Sequence, residues 1–319
     1  INDQVGQIQD KFDPYLQEGL FHGRAAEGVN RFLDNELKPL LKEMQAMGIT
    51  IEELETFLWN AHAQERNAQI AKVNPRLPDA GSGISDNNAA AYLASLSPDQ
   101  RRKFDTLAAR IRNIVHGTQD LLVSSGLETQ ATIDTWRATY PNYIPLERED
   151  ADFGMSLGIA GGTGQGMSVR GGASRRATGS TRPVQNIFAN LVTQRERTVV
   201  RAEKNRVALA LYGLAVQNAN TDFWLPINPD ATLTRAGRRA LIDELVSIGL
   251  NPLDAEGVVE RPTEEYIDPA TGMVAKRVNP NLAKGGNVLS VRINGRDRHI
   301  VFNANNERAS RMVTSLKNM

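Results

Sequence analysis

The longest uninterrupted helical pattern in the chain runs from Pro183 to Gly213, PVQNIFANLVTQRERTVVRAEKNRVALALYG. Ile187, Phe188, Leu191, Val192, Val199, Ala202 and Leu209 recur at helical spacing. Pro183 suits the first turn, where its missing N–H would have had no partner. At about 1.5 Å per residue, a helix of this length spans about 45 Å. It can therefore serve as a spine between two parts of a molecule. The apolar stripe is not pure. Arg195 and Arg206 fall close to it, while Glu196, Arg197, Glu203 and Lys204 mostly take the other face. An unpaired buried charge is costly, so the pattern predicts buried ion pairs.

The stretch before the helix changes character. Residues 151–182 hold glycines and arginines with no apolar period, and the pattern predicts a surface loop or linker. A phosphate-cradling loop is not supported. GGTGQG does not match GxGxxG, no strand pattern precedes it and no Gly-Lys-Ser/Thr follows. From Ser168 to Arg206 there are nine Lys/Arg against two acids, a local balance of +7 in a chain of zero net charge. Residues 1–60 carry the opposite bias, eleven acids against five bases. Two consequences are open. The acidic helices can pack near the basic stretch and neutralise it, or the stretch can stay free for DNA or an acidic partner. On the second alternative the contacts are Arg170, Arg175, Arg176, Arg182, Arg197 and Arg201.

The flanking parts carry strong local signals. Thr50 with Glu53, and Ser97 with Gln100, are capping boxes. Pro39 inside an apolar helical pattern predicts a kink or break, and Gly48 a helix stop. His62, Glu65 and Arg66 share a helix, but HxxER lacks the second histidine of a zinc helix, so a structural role is expected for His62. Phe223-Trp224 reads as a core anchor rather than a base-stacking pair. From Glu264 the period changes to two. One hairpin is predicted around Asp268–Gly272 and a second around Asn294-Gly295, a type I′ turn. Arg292, Arg296 and Arg298 then read as an exposed basic row. The fold class is mainly α: a helical bundle over 1–150, the loop or linker over 151–182, and the long helix with a small α+β part over 183–319.

No reaction announces itself. The chain has no cysteine, which excludes disulfides and thiolate chemistry. Its four histidines lie far apart, and no GxSxG, HExxH, Walker or EF-hand motif is present. Neither a cofactor nor a metal is called for, and there is no apolar run long enough to span a membrane. The chain opens without Met and closes inside a helical pattern, so a fragment or processed piece is expected.

Several strings stand in an informative order: HAQERNAQIAKVNP, GSGISDNNAAAYL, YPNYIPLERE, GGASRRATGSTRPVQNIFANLVTQRERTVVRAEKNRVALALYGLA, FWLP and VLSVRINGRDRHIVFN. In these the chain resembles the accessory region of the large polyvalent proteins of tailed bacteriophages and mobile elements, over about Ile51 to Phe302. The resemblance implies a helical module of a giant multi-domain chain, in the virion or in the host cytoplasm after delivery with phage DNA. Its implied partners are other modules of the same chain, other phage proteins or DNA. It implies no catalytic residue. The expected function is that of a non-enzymatic structural or interaction module. The alternatives are a nucleic-acid-binding module and part of an enzyme completed by flanking chain.

Overall fold

The computed structural model describes residues 8–76, 79, 81–145, 166–172, 186–259, 263–267, 274–278 and 285–318. Its described residues are mainly helical, with a small sheet near the C-terminus. The helices before the centre are α1 (Pro14–Gly19), α2 (Phe21–Phe32), α3 (Lys38–Met47), α4 (Ile51–Val73), α5 (Asp86–Ser95), α6 (Pro98–Ser124) and α7 (Gln130–Thr139). The central helix is α8 (Ile187–Gln217). After it come β1 (Trp224–Ile227), α9 (Arg235–Ser247), α10 (Pro252–Val259), the hairpin β2 (Thr263–Ile267) and β3 (Val274–Val278), the hairpin β4 (Val288–Ile293) and β5 (Arg296–Phe302), and α11 (Glu307–Asn318).

Local chemistry explains most helix ends. Both capping boxes form, at the head of α4 on Thr50 and of α6 on Ser97. Gly48 closes α3 at φ 69°, in the left-handed region that glycine enters without cost. At Pro39 the expected break takes a specific form. Residues Leu33–Leu37 make a wide π-type turn between α2 and α3, which places Pro39 in the first turn of α3. The wider turn makes room for the proline ring, which brings no N–H to the carbonyls one turn before it. Asn186 precedes α8 at φ 55°. The Phe188 N–H of its first turn donates to Glu55 of α4 at 2.9 Å, so an acid from another helix caps it.

The long helix is a spine through three cores. Its first turns bury Ile187, Phe188 and Leu191 with Leu54, Phe57, Leu107 and Ile111 of the helical part. Ala202 packs with Leu122, Leu127, Ile133 and Val169. Its last turns set Val207, Leu211 and Leu214 against Leu289, Val291, Ile300 and Phe302 of the sheet, with Val313 and Leu316 of α11 on the same core. A fourth core joins Leu245 and Ile248 of α9 to Val258 of α10 and to Val288 and Val301 of the sheet.

The sheet order is β1-β5-β4, antiparallel throughout, and β2-β3 pair separately. The β4–β5 turn has Asn294 at φ 48° and Gly295 at φ 72°, as the type I′ expectation requires. The β2–β3 pairing agrees with the other predicted hairpin, whose turn lies outside the described residues. Trp224 is buried and its indole N–H donates to the Asn218 carbonyl at 2.9 Å, so this aromatic anchors the core. The fold predicts that Leu211→Ala, at a fully packed point on α8, costs about 2–5 kcal/mol, read as a lower urea midpoint.

Candidate functional site

The basic stretch is the first place to look, because charge singled it out. Arg175, Arg176 and Arg182 lie outside the described residues. The other three expected contacts are placed by the fold. Arg201 sits on α8 and is 6 % exposed. Its guanidinium donates to the carbonyls of Arg170 (3.0 Å), Gly171 and Gly172 (3.3 Å). Burial pushes its pKa down to about 10, nearby Arg292 adds to the shift, and Asp297 and Glu128 oppose it. Arg201 is therefore corrected from a phosphate contact to a cation enclosed by backbone oxygens. Arg170 is half-buried, with a pKa lowered by burial against the pull of Asp297. Arg197 is half-buried on α8.

The segment that Arg201 holds is the second correction. Residues 166–172 were expected on the surface, yet Met167, Ser168, Val169 and Gly171 are buried. They run along the free side of β4. Val169 N donates to Ser290 O at 2.8 Å, Ser290 N to Ser168 Oγ at 2.9 Å, and Met167 N to Leu316 O at 2.8 Å. A sheet edge offers unpaired amides and carbonyls, and this segment covers them. Gly171 N reaches both oxygens of Asp297 at 3.1 Å. Asp297 also accepts from Arg292 at 2.9 Å.

Arg292 corrects the expected basic row. It pairs in register with Asp297, whereas Arg298 lies opposite Val291, so Arg292 points to the other face of the hairpin. It is 6 % exposed and donates to the Leu127 carbonyl at 3.0 and 3.2 Å. Asn205 of α8 completes the junction. Its amide bridges Ser125 O (2.8 Å) and Arg292 O (2.9 Å), and its carbonyl oxygen accepts Arg292 N (2.9 Å). Helix, sheet, the turn after α6 and the 166–172 segment thus meet on one buried polar cluster.

Higher on α8, Arg195 is the buried ion pair that the stripe predicted. It bonds Glu36 of the acidic N-terminal part and lies over the Phe32 ring at 5.0 Å. Gly117 of α6 leaves room for it, since a Cβ there would stand 2.8 Å from Arg195 Nη2. Glu203 binds Arg24 of α2 at 2.7 Å, and exposed Arg206 lies 3.6 Å from Glu203. At these points the acidic helices and the basic stretch face each other.

A second polar cluster joins two of the sequence strings. Glu65 of α4 accepts from Asn142 N (3.2 Å) and Asn142 Nδ2 (2.5 Å). Burial would raise its pKa, but the nearby His62 ring and the bonds from Asn142 outweigh burial and lower it. His62 is 1 % exposed and its ring stands edge-on to Tyr143. Its Nδ1 lies 3.4 Å from Glu65 Oε2, long for a hydrogen bond, and burial lowers its pKa. Beside this cluster a cleft of about 370 Å³ opens between α4, α6 and Pro141–Ile144. Phe57, Leu58, Ile111 and Tyr143 give it apolar walls. Its charges are engaged: Arg101 on Asp105 at 2.9 Å, and Arg112 on Pro141 O at 3.0 Å.

Among the described residues no group of three His, Asp or Glu side chains could hold a metal, and no helix is long and apolar enough to cross a membrane. No family model, curated protein or solved structure matches the chain.

Two outcomes follow from this geometry. Arg201→Leu leaves three carbonyls without their donor and lowers stability by about 2–5 kcal/mol in urea unfolding. His299, 5 % exposed and bonded to Ser290 Oγ at 3.0 Å, has a pKa lowered by burial from 6.5 to about 4. The unfolded chain takes up its proton first as pH falls. The stability present above pH 6.5 is therefore lost towards pH 4, by up to about 3 kcal/mol. Urea melts of His299→Gln across that window should show a correspondingly flatter pH dependence.

Proposed function

We propose that this chain is a non-enzymatic structural and interaction module of a giant bacteriophage protein, packaged in the virion or delivered with phage DNA. One observation carries the reading: the polar residues of its sequence strings are used on one another. Glu65 in HAQERNAQIAKVNP binds Asn142 in YPNYIPLERE. Asn67 of the first string accepts Ser82 N at 2.7 Å and donates to Asp86 at 2.8 Å, both in GSGISDNNAAAYL. Asn205 of the central string binds Arg292 in VLSVRINGRDRHIVFN. Such residues act as fasteners between elements, which is what a rigid spacer or docking module needs.

The implied partners are other modules of the same giant chain or other phage proteins. The nucleic-acid alternative loses Arg201 as a contact, because that side chain is enclosed. The reading is tested on the purified chain with plasmid DNA, RNA, casein and peptidoglycan. Turnover of any of them, abolished by a point substitution in the chain, sinks it. A fastened spine also predicts one cooperative transition. Urea unfolding followed by far-UV dichroism and by fluorescence of Trp59, Trp136 and Trp224 should coincide, because these tryptophans sit in α4, α7 and β1.

A further inference from the structure

We infer that the exposed arginine face of α9, Arg235 with Arg238 and Arg239, is a surface that binds the phosphate backbone of nucleic acid. This inference does not rest on the scaffold reading. The first five residues of α9, RAGRR, carry three arginines and no acid. Spaced i, i+3 and i+4, they lie close together on one side of the helix, with Cβ atoms about 5–6 Å apart. All three are exposed.

Exposed Lys42, Lys72 and Arg308 also lack an ion pair, but these three arginines stand together on one helix face, whereas many other cations of this fold are paired. Arg24 near the start of α2 is held by Glu203, and Lys38 at the start of α3 by Asp34. Arg101 and Arg311 each pair with an acid one turn away. Among the described residues, none of Arg235, Arg238 and Arg239 has a carboxylate at salt-bridge distance. Asp243 stands one turn beyond Arg239 and forms no ion pair with it. The turn leading into α9 has one acid, Asp230, already engaged by Arg298 at 2.8 Å and Arg296 at 3.3 Å. The positive charge of the face is therefore unmatched within the fold.

That placement also works against the helix. The start of a helix carries partial positive charge, so cations there cost about 0.3–1 kcal/mol each at low salt. Other helices place acids there, with Glu52 and Glu53 opening α4, Asp86 α5, Asp99 α6 and Glu307 α11, while α2 and α3 open without one and hold Arg24 and Lys38 in ion pairs instead. A destabilising, unmatched cluster made only of arginine fits phosphate, because the planar guanidinium binds phosphate oxygens in pairs. The chain as a whole has zero formal charge, so attraction of a polyanion must come from such a local face.

The test is fluorescence anisotropy with a labelled duplex of about 20 bp and a single strand of the same length, over about 50–200 mM salt. The triple variant Arg235→Gln/Arg238→Gln/Arg239→Gln should lose at least about ten-fold in affinity at the lowest salt, and its log–log salt slope should fall by about 2–3. A control triple, Arg102→Gln/Arg110→Gln/Arg311→Gln, removes the same charge from ion-paired positions and should bind within about two-fold of the wild type. The single Arg239→Glu reverses one charge of the face with a residue that favours helix and should also lose binding. Thermal midpoints of the α9 variants should match or exceed that of the wild type. The proposal is overturned by any of four results: no binding by the wild type at the lowest salt, equal loss in both triples, binding lost in Arg175→Ala/Arg176→Ala but kept in the α9 triple, or hexaglutamate competing as well as DNA of equal charge.

Discussion

The structure depends on how a buried helix satisfies its own polar residues. Arg195, Arg201 and Asn205 sit on the central helix at 0–6 % exposure. Each must find partners, because an unmatched buried charge or amide costs several kcal/mol. Each finds them on a different part of the chain. Arg195 binds Glu36 from the N-terminal helices, Arg201 holds the carbonyls of residues 170–172, and Asn205 joins the turn after α6 to β4. Apolar packing along the helix supplies the bulk of the attraction, and these polar bonds fix which surfaces meet and in what register.

This explains why a stretch with a local balance of +7 is not simply an open basic surface. Some of its cations hold the fold together. Arg201 and its carbonyls pin a strand-like segment along β4, and Asp297 binds both that segment and Arg292. The hairpin tip is pinned too, as Gly295 N donates to Gly126 O at 3.1 Å. Among the described residues, a cluster of exposed arginines without ion pairs stands on α9, outside the stretch that the charge count singled out. A charge count along a chain measures supply, whereas surface potential depends on which charges the fold has already consumed.

Features set by a few neighbouring residues were legible in the sequence. The capping boxes at Thr50 and Ser97, the stop at Gly48 and the Asn294-Gly295 turn all form as read. So does the mainly helical class with its small C-terminal sheet, because periodicity reports which face an element must bury. Where Arg201 and Arg292 point was not legible. By sequence Arg201 reads as a contact for DNA or an acidic partner, and Arg292 as a member of a basic row with Arg296 and Arg298. Alternation counted through the two-residue Asn294-Gly295 turn pairs Arg292 with Asp297 and so puts it on the face opposite Arg296 and Arg298. The partners of Arg201, thirty residues upstream in a glycine-rich stretch, were not legible that way.

The sequence by itself determined the elements: a long helix with a mixed stripe, a helical N-terminal half, and two hairpins near the end. These follow from backbone preferences and from apolar spacing within a few turns. Only the tertiary structure decided that Met167, Ser168, Val169 and Gly171 are buried against the sheet edge, that the Glu36 carboxylate neutralises Arg195, and that Arg235, Arg238 and Arg239 are left without partners. Burial and pairing are properties of surfaces brought together from distant parts of the chain. The free energy of a charge is set by what stands within a few ångströms of it, not by its neighbours in sequence.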